Sequence, residues 1–331
     1  MIEGARSGED PRRWLSPDAW LRTFRDQPVV PLLVLLGILA LGFVLENPRA
    51  NIPDWLGATL RSAVPLAILA GCQTIAMLTG GIDLSVAAVA SMAGFVAASL
   101  ASTGTVAGIV VALAIAALIG VVNGIGVGVF RVHPLIMTLG MGLIILGGAN
   151  AWQLLTVRTS SGVPVEIRWI GSSTVFGILP VSLLVFVPLA AVILIGVRRT
   201  GYGRLLYAIG DNPVAARLSG AKTWQVVTML YTISAVLAGI AGLLIAGLTN
   251  VASVTLANSY LLPSVAAAVI GGTSILGGRG GFSGTIVGAL ILTVATALLS
   301  SLGYPEAVRQ ILFGAIIVLV AAGYARVTSE G

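Results

Sequence analysis

Charged side chains are scarce in this sequence, and their scarcity excludes a water-soluble globular protein. Only 9% of the 331 residues are charged, whereas 57% are hydrophobic, and the mean hydropathy is +1.04. Soluble domains carry about 25% charged residues, so this chain could not cover its surface in water. A helix that crosses a bilayer needs about 20 apolar residues, so the length leaves room for about ten such spans.

Reactive side chains are equally few, and this excludes several kinds of site. The sequence has one histidine (His133), one cysteine (Cys72) and one lysine (Lys222). These residues cannot form a His/Cys metal cage or an internal disulfide. Lys222 follows Ala221, so the Gly-Lys-Ser/Thr sequence of a phosphate-binding loop is missing. We therefore predict no catalytic residue, metal or cofactor on this chain. If ATP drives its function, a partner subunit must hold the ATP and Mg²⁺.

The basic residues indicate a membrane topology rather than a nucleic-acid partner. The net charge is +6, but no contiguous basic stripe with interleaved aromatic residues is present, so we predict no binding to nucleic acid. With about ten spans and the N-terminus in the cytoplasm, 13 of the 18 Lys and Arg residues fall on the cytoplasmic side. Cytoplasmic loops carry such an excess of positive charge, which favours an N-in, C-in arrangement.

Runs of apolar residues predict an all-α, polytopic transmembrane bundle. The predicted spans cover residues 29–46, 62–79, 84–101, 105–130, 134–155, 174–197, 224–247, 260–276, 283–301 and 307–324. The third and eighth runs are short, so one or both are candidates for incomplete crossings. We assign residues 1–28 to a cytoplasmic segment with an interfacial helix, residues 29–327 to the transmembrane domain and residues 328–331 to a C-terminal tail.

Glycine residues recur at helical spacing and at two breaks between spans. Gly120, Gly124 and Gly128 form one stripe, and Gly284 and Gly288 begin another. Small residues at this spacing let helix backbones approach closely in lipid. The two breaks suggest an internal structural repeat, and the free backbone groups of the second break are expected at a helix interface or cavity. The glycines of the breaks are Gly80, Gly81, Gly271, Gly272, Gly277 and Gly278.

Few polar side chains lie within or beside the predicted spans, which makes them candidates for contact with a solute. Asp83, at the first glycine-rich break, is the only acid between Asp54 and Glu166. Its carboxylate either lies near a transport pathway or caps the start of a helix. The other candidates either line a pathway or form hydrogen bonds between helices. The complete set is Gln73, Thr74, Asp83, Asn123, Thr138, Asn150 and Gln153.

The loop at residues 198–223 is the most polar stretch after the N-terminus and is predicted to be cytoplasmic. Asp211 or Asn212 would cap a short helix within it. Pro213 would take the first position of that helix, and Gly220 would end it. Such a helix is either a knob that fits the groove of a partner or an ordinary amphipathic loop helix.

Four motifs occur in order over nearly the full length of the chain. They are Thr79–Val86 (TGGIDLSV), Pro134–Gly140 (PLIMTLG), Gly201–Gly220 and Val269–Gly278 (VIGGTSILGG). Together they resemble the membrane permease subunits of ATP-binding-cassette sugar importers, of the ribose, xylose and galactofuranose type.

This resemblance implies a dimeric permease in the lipid bilayer of a bacterial inner membrane, formed with a second copy or a related chain. Its partners would be cytoplasmic ATPase subunits and an external binding protein that delivers a small sugar. The resemblance also implies a coupling helix that sits in a cleft of the ATPase. The residues of this segment are Asp211, Asn212, Pro213, Val214, Ala215, Ala216, Arg217, Leu218, Ser219 and Gly220.

We therefore expect the membrane-spanning permease subunit of an importer for a monosaccharide. The alternative is an ATP-independent secondary transporter or channel for a small polar solute. Such a protein would normally show buried ionisable residues for ion coupling. Between Asp83 and Glu166 the ionisable residues are Arg131, His133 and Arg158, all near loops, which disfavours proton coupling.

Overall fold

The described part of the chain is built almost entirely of α-helices, which confirms the predicted all-α class. The computed structural model describes residues 29–156 and 162–329. Its helices are α1 (Val29–Glu46), α2 (Ile52–Met77), α3 (Val86–Ser99), α4 (Thr105–Gly128), α5 (Pro134–Thr156), α6 (Val165–Ser172), α7 (Leu183–Arg199), α8 (Gly201–Asp211), α9 (Pro213–Leu218), α10 (Thr223–Thr249), α11 (Leu261–Ile270), α12 (Phe282–Ser301) and α13 (Glu306–Ser329). The interfacial helix predicted within residues 1–28 lies outside the described residues.

Helix α10 forms the centre of the bundle and packs against α2, α3, α4 and α6. Its side chains Leu230, Tyr231 and Ile245 are fully buried. A second group of helices forms where α12 packs against α1, α2 and α11. Helix α1 is peripheral: Phe43 is its buried residue, and the Phe43 ring stacks on Trp55 with centroids 4.5 Å apart. The remaining apolar side chains of α1 therefore form an outer surface suited to lipid.

Both predicted glycine stripes lie at close helix contacts, so their packing role is confirmed. A Cβ atom on Gly120 would lie 2.6 Å from the Cα atom of Thr232 in α10, and one on Gly124 would overlap the α10 backbone. Cβ atoms on Gly284 and Gly288 would overlap carbonyl oxygens in and just after α11. Glycine is therefore required for the backbones of α4 and α10, and of α12 and α11, to approach this closely.

Six of the described helices are long and apolar enough to cross a membrane, namely α1, α2, α4, α5, α10 and α12. Helices α7 and α8 are apolar and long enough only when taken together, and they are bent by 64° at the break between them. Helices α3 and α11 have 14 and 10 residues. At about 1.5 Å per residue they are shorter than the hydrocarbon core of about 30 Å, as the short third and eighth runs suggested. The count of about ten spans and the N-in, C-in orientation stay predictions.

The predicted span over residues 174–197 is wrong at its start, because a β-hairpin replaces the first turns of the helix. Strand β1 (Thr174–Val175) pairs antiparallel with β2 (Leu179–Pro180). Phe176 and Gly177 between the strands have φ angles of 54° and 74°, which are typical of a tight hairpin turn. Helix α7 therefore begins only at residue 183.

Other differences concern the ends and number of the helices. Helix α2 begins at Ile52, ten residues before the predicted span, and α11 ends at Ile270, where the glycine-rich break begins. Helices α6 and α8 were not predicted, since both lie in segments with many polar and glycine residues. The polar loop between α7 and α10 is therefore helical for most of its length.

The close contact of α4 with α10 makes Gly124 sensitive to substitution. We expect Gly124→Ala to lower the free energy of unfolding by about 1–3 kcal/mol, because the added methyl group forces the backbones apart. Thermal unfolding of the purified protein in detergent measures this loss. Gly147→Ala on α5 is the control, since a Cβ atom there meets no atom within 4 Å. Equal unfolding temperatures for the two variants would contradict the packing role of Gly124.

Candidate functional site

A buried carboxylate lies at the first glycine-rich break. Asp83, in the connection between α2 and α3, is only 1% exposed. Its Oδ1 atom accepts hydrogen bonds from Ser85 N (3.0 Å) and Ser85 Oγ (2.6 Å), and its Oδ2 atom accepts one from Ser234 Oγ (3.1 Å) in α10. A buried charge is costly unless it is hydrogen-bonded. These donors therefore hold the start of α3 against α10.

Three further side chains, each from a different helix, bind to the same connection. Gln73 in α2 donates from Nε2 to Asp83 O (2.8 Å) and accepts at Oε1 from Asp83 N (3.2 Å). Asn123 in α4 donates from Nδ2 to Ser85 Oγ (3.0 Å). Thr138 in α5 accepts at Oγ1 from the backbone N–H that follows Asp83 (3.0 Å). We call this set the polar cluster: Gln73, Asp83, Ser85, Asn123, Thr138 and Ser234.

Two buried polar atoms beside the polar cluster have no hydrogen-bond partner among the described residues, Asn123 Oδ1 and Tyr231 Oη. Tyr231 projects from α10 toward the glycine-rich break, and a Cβ atom on Gly81 would lie 2.9 Å from its Oη atom. A buried polar atom without a partner costs about 1–3 kcal/mol. A hydrogen-bond partner for either atom would therefore stabilise the protein by about this much.

The remaining polar candidates lie elsewhere. Thr74 Oγ1 is 2.7 Å from Thr285 Oγ1, so this pair links α2 to α12. Asn150 and Gln153 are exposed on α5, and Asn150 donates to Leu146 O (2.8 Å) in the preceding turn. The structure thus brings together four of the seven polar candidates and separates the other three.

Sequence reasoning missed Ser85, Ser234 and Tyr231 as members of this region. Isolated Ser and Tyr residues in apolar helices carry no pattern that distinguishes them from packing residues. Ser234 lies 151 positions from the carboxylate that it contacts. The one available signal was the acid itself, because a buried carboxylate requires donors from its neighbours.

The two glycine-rich breaks contact each other. Gly278 N donates a hydrogen bond to Leu78 O (3.1 Å). A Cβ atom on Gly277 would lie 3.0 Å from Gly80 N. Gly80, Gly277 and Gly278 have φ angles of 77°, 96° and 69°, a region that side chains other than hydrogen disfavour. Glycine is therefore required here both for backbone conformation and for close approach.

The last turn of α8 packs directly against both breaks. A Cβ atom on Gly210 would overlap Leu78 O and would lie 2.5 Å from Gly278 N. We call this contact the glycine junction, formed by Gly80, Gly210, Gly277 and Gly278. Among the other break glycines, Gly271 packs against the start of α12. Thus the end of α8 touches the chain just after α2 and in the connection between α11 and α12.

Helix α9 follows the glycine junction by two residues. Asn212 Oδ1 accepts hydrogen bonds from Val214 N (3.0 Å) and Ala215 N (2.9 Å), so Asn212 is the cap and Asp211 is the last residue of α8. Ala216 is buried, whereas Val214 is 55% and Leu218 is 84% exposed. The other residues of the segment are also exposed: Asp211, Asn212, Pro213, Ala215, Arg217, Ser219 and Gly220. An exposed apolar face beside a buried anchor suits a docking helix.

The sequence is similar to a family of transport proteins over most of its length. The family described as branched-chain amino acid transport system / permease component matches residues 56–321. The ribose import permease protein of Escherichia coli is 33% identical over 318 residues, covering 92% of this chain and 93% of that protein. The fructose import permease protein of Rhizobium meliloti is 29% identical, covering 88% and 84%. The galactofuranose transporter permease protein of Escherichia coli is 33% identical, covering 79% and 76%. No solved structure matches the chain.

The polar cluster makes a prediction about stability. Asp83→Ala removes the acceptor of three buried hydrogen bonds, and we expect a loss of about 2–4 kcal/mol in the free energy of unfolding. Ser234→Ala breaks one of these bonds and should cost about 1 kcal/mol. Thermal unfolding of the two purified variants in detergent measures both losses of stability. Asn150→Ala on the exposed face of α5 is the control and should unfold as the wild type does. If Asp83→Ala also unfolds as the wild type does, the carboxylate does not hold the helices together.

Proposed function

Because the chain belongs to the family of branched-chain amino acid transport system / permease components, we propose that it is the membrane-spanning permease subunit of an ATP-binding-cassette importer. Three relatives that cover most of its length are named for ribose, fructose and galactofuranose, all monosaccharides. This supports a monosaccharide as the transported solute, delivered by a binding protein outside the membrane.

The observation that carries this proposal is the contact between Gly210 and both glycine-rich breaks. Helix α9 begins three residues later with Pro213 and presents an exposed apolar face. A force applied to α9 would pass through the end of α8 to the end of α2 and to the connection between α11 and α12. Helix α9 is therefore suited to be the coupling helix, which conveys closure of an ATPase to the spans in alternating access.

The proposal includes the assembly and its place in the cell. ATP and Mg²⁺ would bind to cytoplasmic ATPase subunits, and a second permease copy or a related chain would complete a dimer in the bacterial inner membrane. We keep about ten spans with both termini in the cytoplasm, since 13 of the 18 basic residues then lie inside. The segments at residues 1–28 and 328–331 would be cytoplasmic.

Five of the seven polar candidates are buried and hydrogen-bonded between elements, and two are exposed. Gln73 and Thr138 bind backbone groups at Asp83 and the next residue, which supports a role in holding the helices. The other buried candidates, Thr74, Asp83 and Asn123, bind the side chains of Thr285, Ser234 and Ser85. Asn150 and Gln153 are exposed on α5. They are the candidates whose side chains a sugar could reach without breaking the polar cluster.

An ATP-independent transporter or channel is the alternative function. Coupling to an ion gradient normally requires ionisable groups within the membrane that change partners. Asp83 is the one buried acid among the described residues, and three hydrogen bonds already hold its carboxylate. This arrangement favours a structural role for Asp83 over ion coupling.

Co-purification and uptake together test the function. We expect the affinity-tagged full chain, co-expressed with an ABC ATPase of its source organism, to retain that ATPase in mild detergent. Vesicles that contain the complex should take up a monosaccharide only with ATP inside and a binding protein outside. Uptake driven by a sodium or proton gradient without ATP would instead establish the alternative function.

Coupling is tested at the glycine junction. We expect Gly210→Ala to bind the ATPase but to lose at least about tenfold of its sugar-dependent stimulation of ATP hydrolysis, because the methyl group forces α8 away from Leu78 and Gly278. Gly201→Ala at the other end of α8 is the matched control, since its Cβ atom would meet only Arg204, at 3.7 Å. Equal stimulation of ATP hydrolysis in the two variants would contradict the proposed path.

A second variant covers the case in which Gly210→Ala does not fold. Asn212→Ala removes the cap of α9, whereas Asn212→Asp keeps an oxygen that accepts from the same two N–H groups. We expect weakened stimulation of ATP hydrolysis in the first variant and normal stimulation in the second. Loss of this stimulation in both variants would show that the Asn212 cap does not account for the weakened stimulation.

A further inference from the structure

A pocket of about 550 Å³ lies beside α9. Its walls come from the end of α4, the connection that follows it, helices α8 and α9, and the start of α10. Three of the lining residues are basic, Arg131, Arg217 and Lys222, and the lining contains no carboxylate. None of the three forms an ion pair within residues 29–156 and 162–329. The pocket therefore concentrates positive charge without a counter-charge from the described chain.

The start of α10 adds to this positive potential. The N-terminus of a helix carries a partial positive charge and free N–H groups. No side chain caps α10 at Lys222, and Thr223 and Trp224 at the first turn line the pocket. The helix dipole and the three basic side chains thus favour the same ligand, an anion.

Most of the other lining residues are apolar, and several of them lie at the ends of α4 and α10. Val127 and Val129 at the end of α4 and Val227 on α10 form one wall. Val129 and Trp224 are 49% and 47% exposed, and the neighbouring Phe130 is 74% exposed. Tryptophan is enriched where a membrane meets water, because its ring is apolar and its N–H is polar. A soluble anion would leave this apolar half of the pocket unused.

We propose that the pocket binds the phosphate-bearing headgroup of an anionic phospholipid in the leaflet at this face. The phosphate would lie between Arg131, Arg217 and Lys222, and the glycerol and upper acyl chains would lie along the apolar end of α4. Basic pockets between spans at the cytoplasmic face bind anionic lipids in this way. The proposed N-in, C-in orientation determines only which leaflet supplies the lipid. Binding of the lipid does not depend on the proposal that the chain is part of an importer.

Retention of lipid by the purified full chain tests this site. Native mass spectrometry in mild detergent would compare phosphatidylglycerol with zwitterionic phosphatidylcholine, each added at the same concentration. We expect bound phosphatidylglycerol on the wild type and at least about tenfold weaker binding in the double variant Arg131→Gln, Lys222→Gln. This variant leaves Arg217 unchanged, so helix α9 keeps its sequence.

The matched control removes two basic residues on the same face outside the pocket, Arg199→Gln with Arg204→Gln. This control should bind phosphatidylglycerol as the wild type does. If it loses as much binding as the pocket variant, or if neither loses any, the pocket is not the site.

Displacement of the lipid by millimolar inorganic phosphate would assign the pocket to a soluble anion. Displacement by a purified ATPase subunit would assign it to that protein, and either result would overturn the proposal.

A second measurement applies if the pocket variant does not fold. Phosphatidylglycerol with brominated acyl chains quenches tryptophan fluorescence at short range. We expect the wild type to be quenched more than Trp224→Phe, and the difference to disappear with brominated phosphatidylcholine. Equal quenching of the wild type and Trp224→Phe by brominated phosphatidylglycerol would overturn the proposal.

Discussion

A carboxylate buried among membrane-spanning helices must be surrounded by hydrogen-bond donors, and this requirement determines how the centre of the bundle is arranged. Asp83 is 1% exposed and accepts three hydrogen bonds, one of them from Ser234 on α10. The backbone on either side of it is bound by Gln73 from α2 and Thr138 from α5. Any of these helices that moved alone would leave a buried polar group unpaired, at a cost of about 1–3 kcal/mol each. The cluster therefore favours movement of these helices as one body.

The glycine junction lies next to this cluster along the chain. Gly80 is three residues before Asp83, and Leu78 accepts a hydrogen bond from Gly278 N at 3.1 Å. The connection between α2 and α3 is thus held near Asp83 by the side chains of the polar cluster and near Gly80 by the backbone contacts of the glycine junction. A displacement of Gly278 or of Gly210 would reach the polar cluster through about four residues of chain, which is too short to absorb it.

Local patterns in the sequence predicted the local features of this arrangement. The apolar run over residues 29–46 coincides with α1, and the Asn212-Pro213 pair marked the start of α9 because capping and a fixed proline φ are properties of adjacent residues. The hairpin at Thr174–Pro180 was missed, since its short strands lie beside a continuous apolar run. The partnership of Asp83 with Ser234 depends on helices that are distant in sequence. It follows only once the packing of α3 on α10 is known.

Helix α9 cannot act as an independent element, and this bears on its proposed role in coupling. It has six residues, fewer than the about 12–15 that an isolated helix needs, so its position depends on its neighbours. The Asn212 cap joins it to α8, and buried Ala216 anchors it, with Ala216 O accepting from Ala221 N (3.1 Å) before α10. A partner that moved α9 would therefore move the end of α8, including Gly210, rather than unfold the helix alone. The same dependence means that a ligand bound to Arg217 on α9 would act on the glycine junction as well.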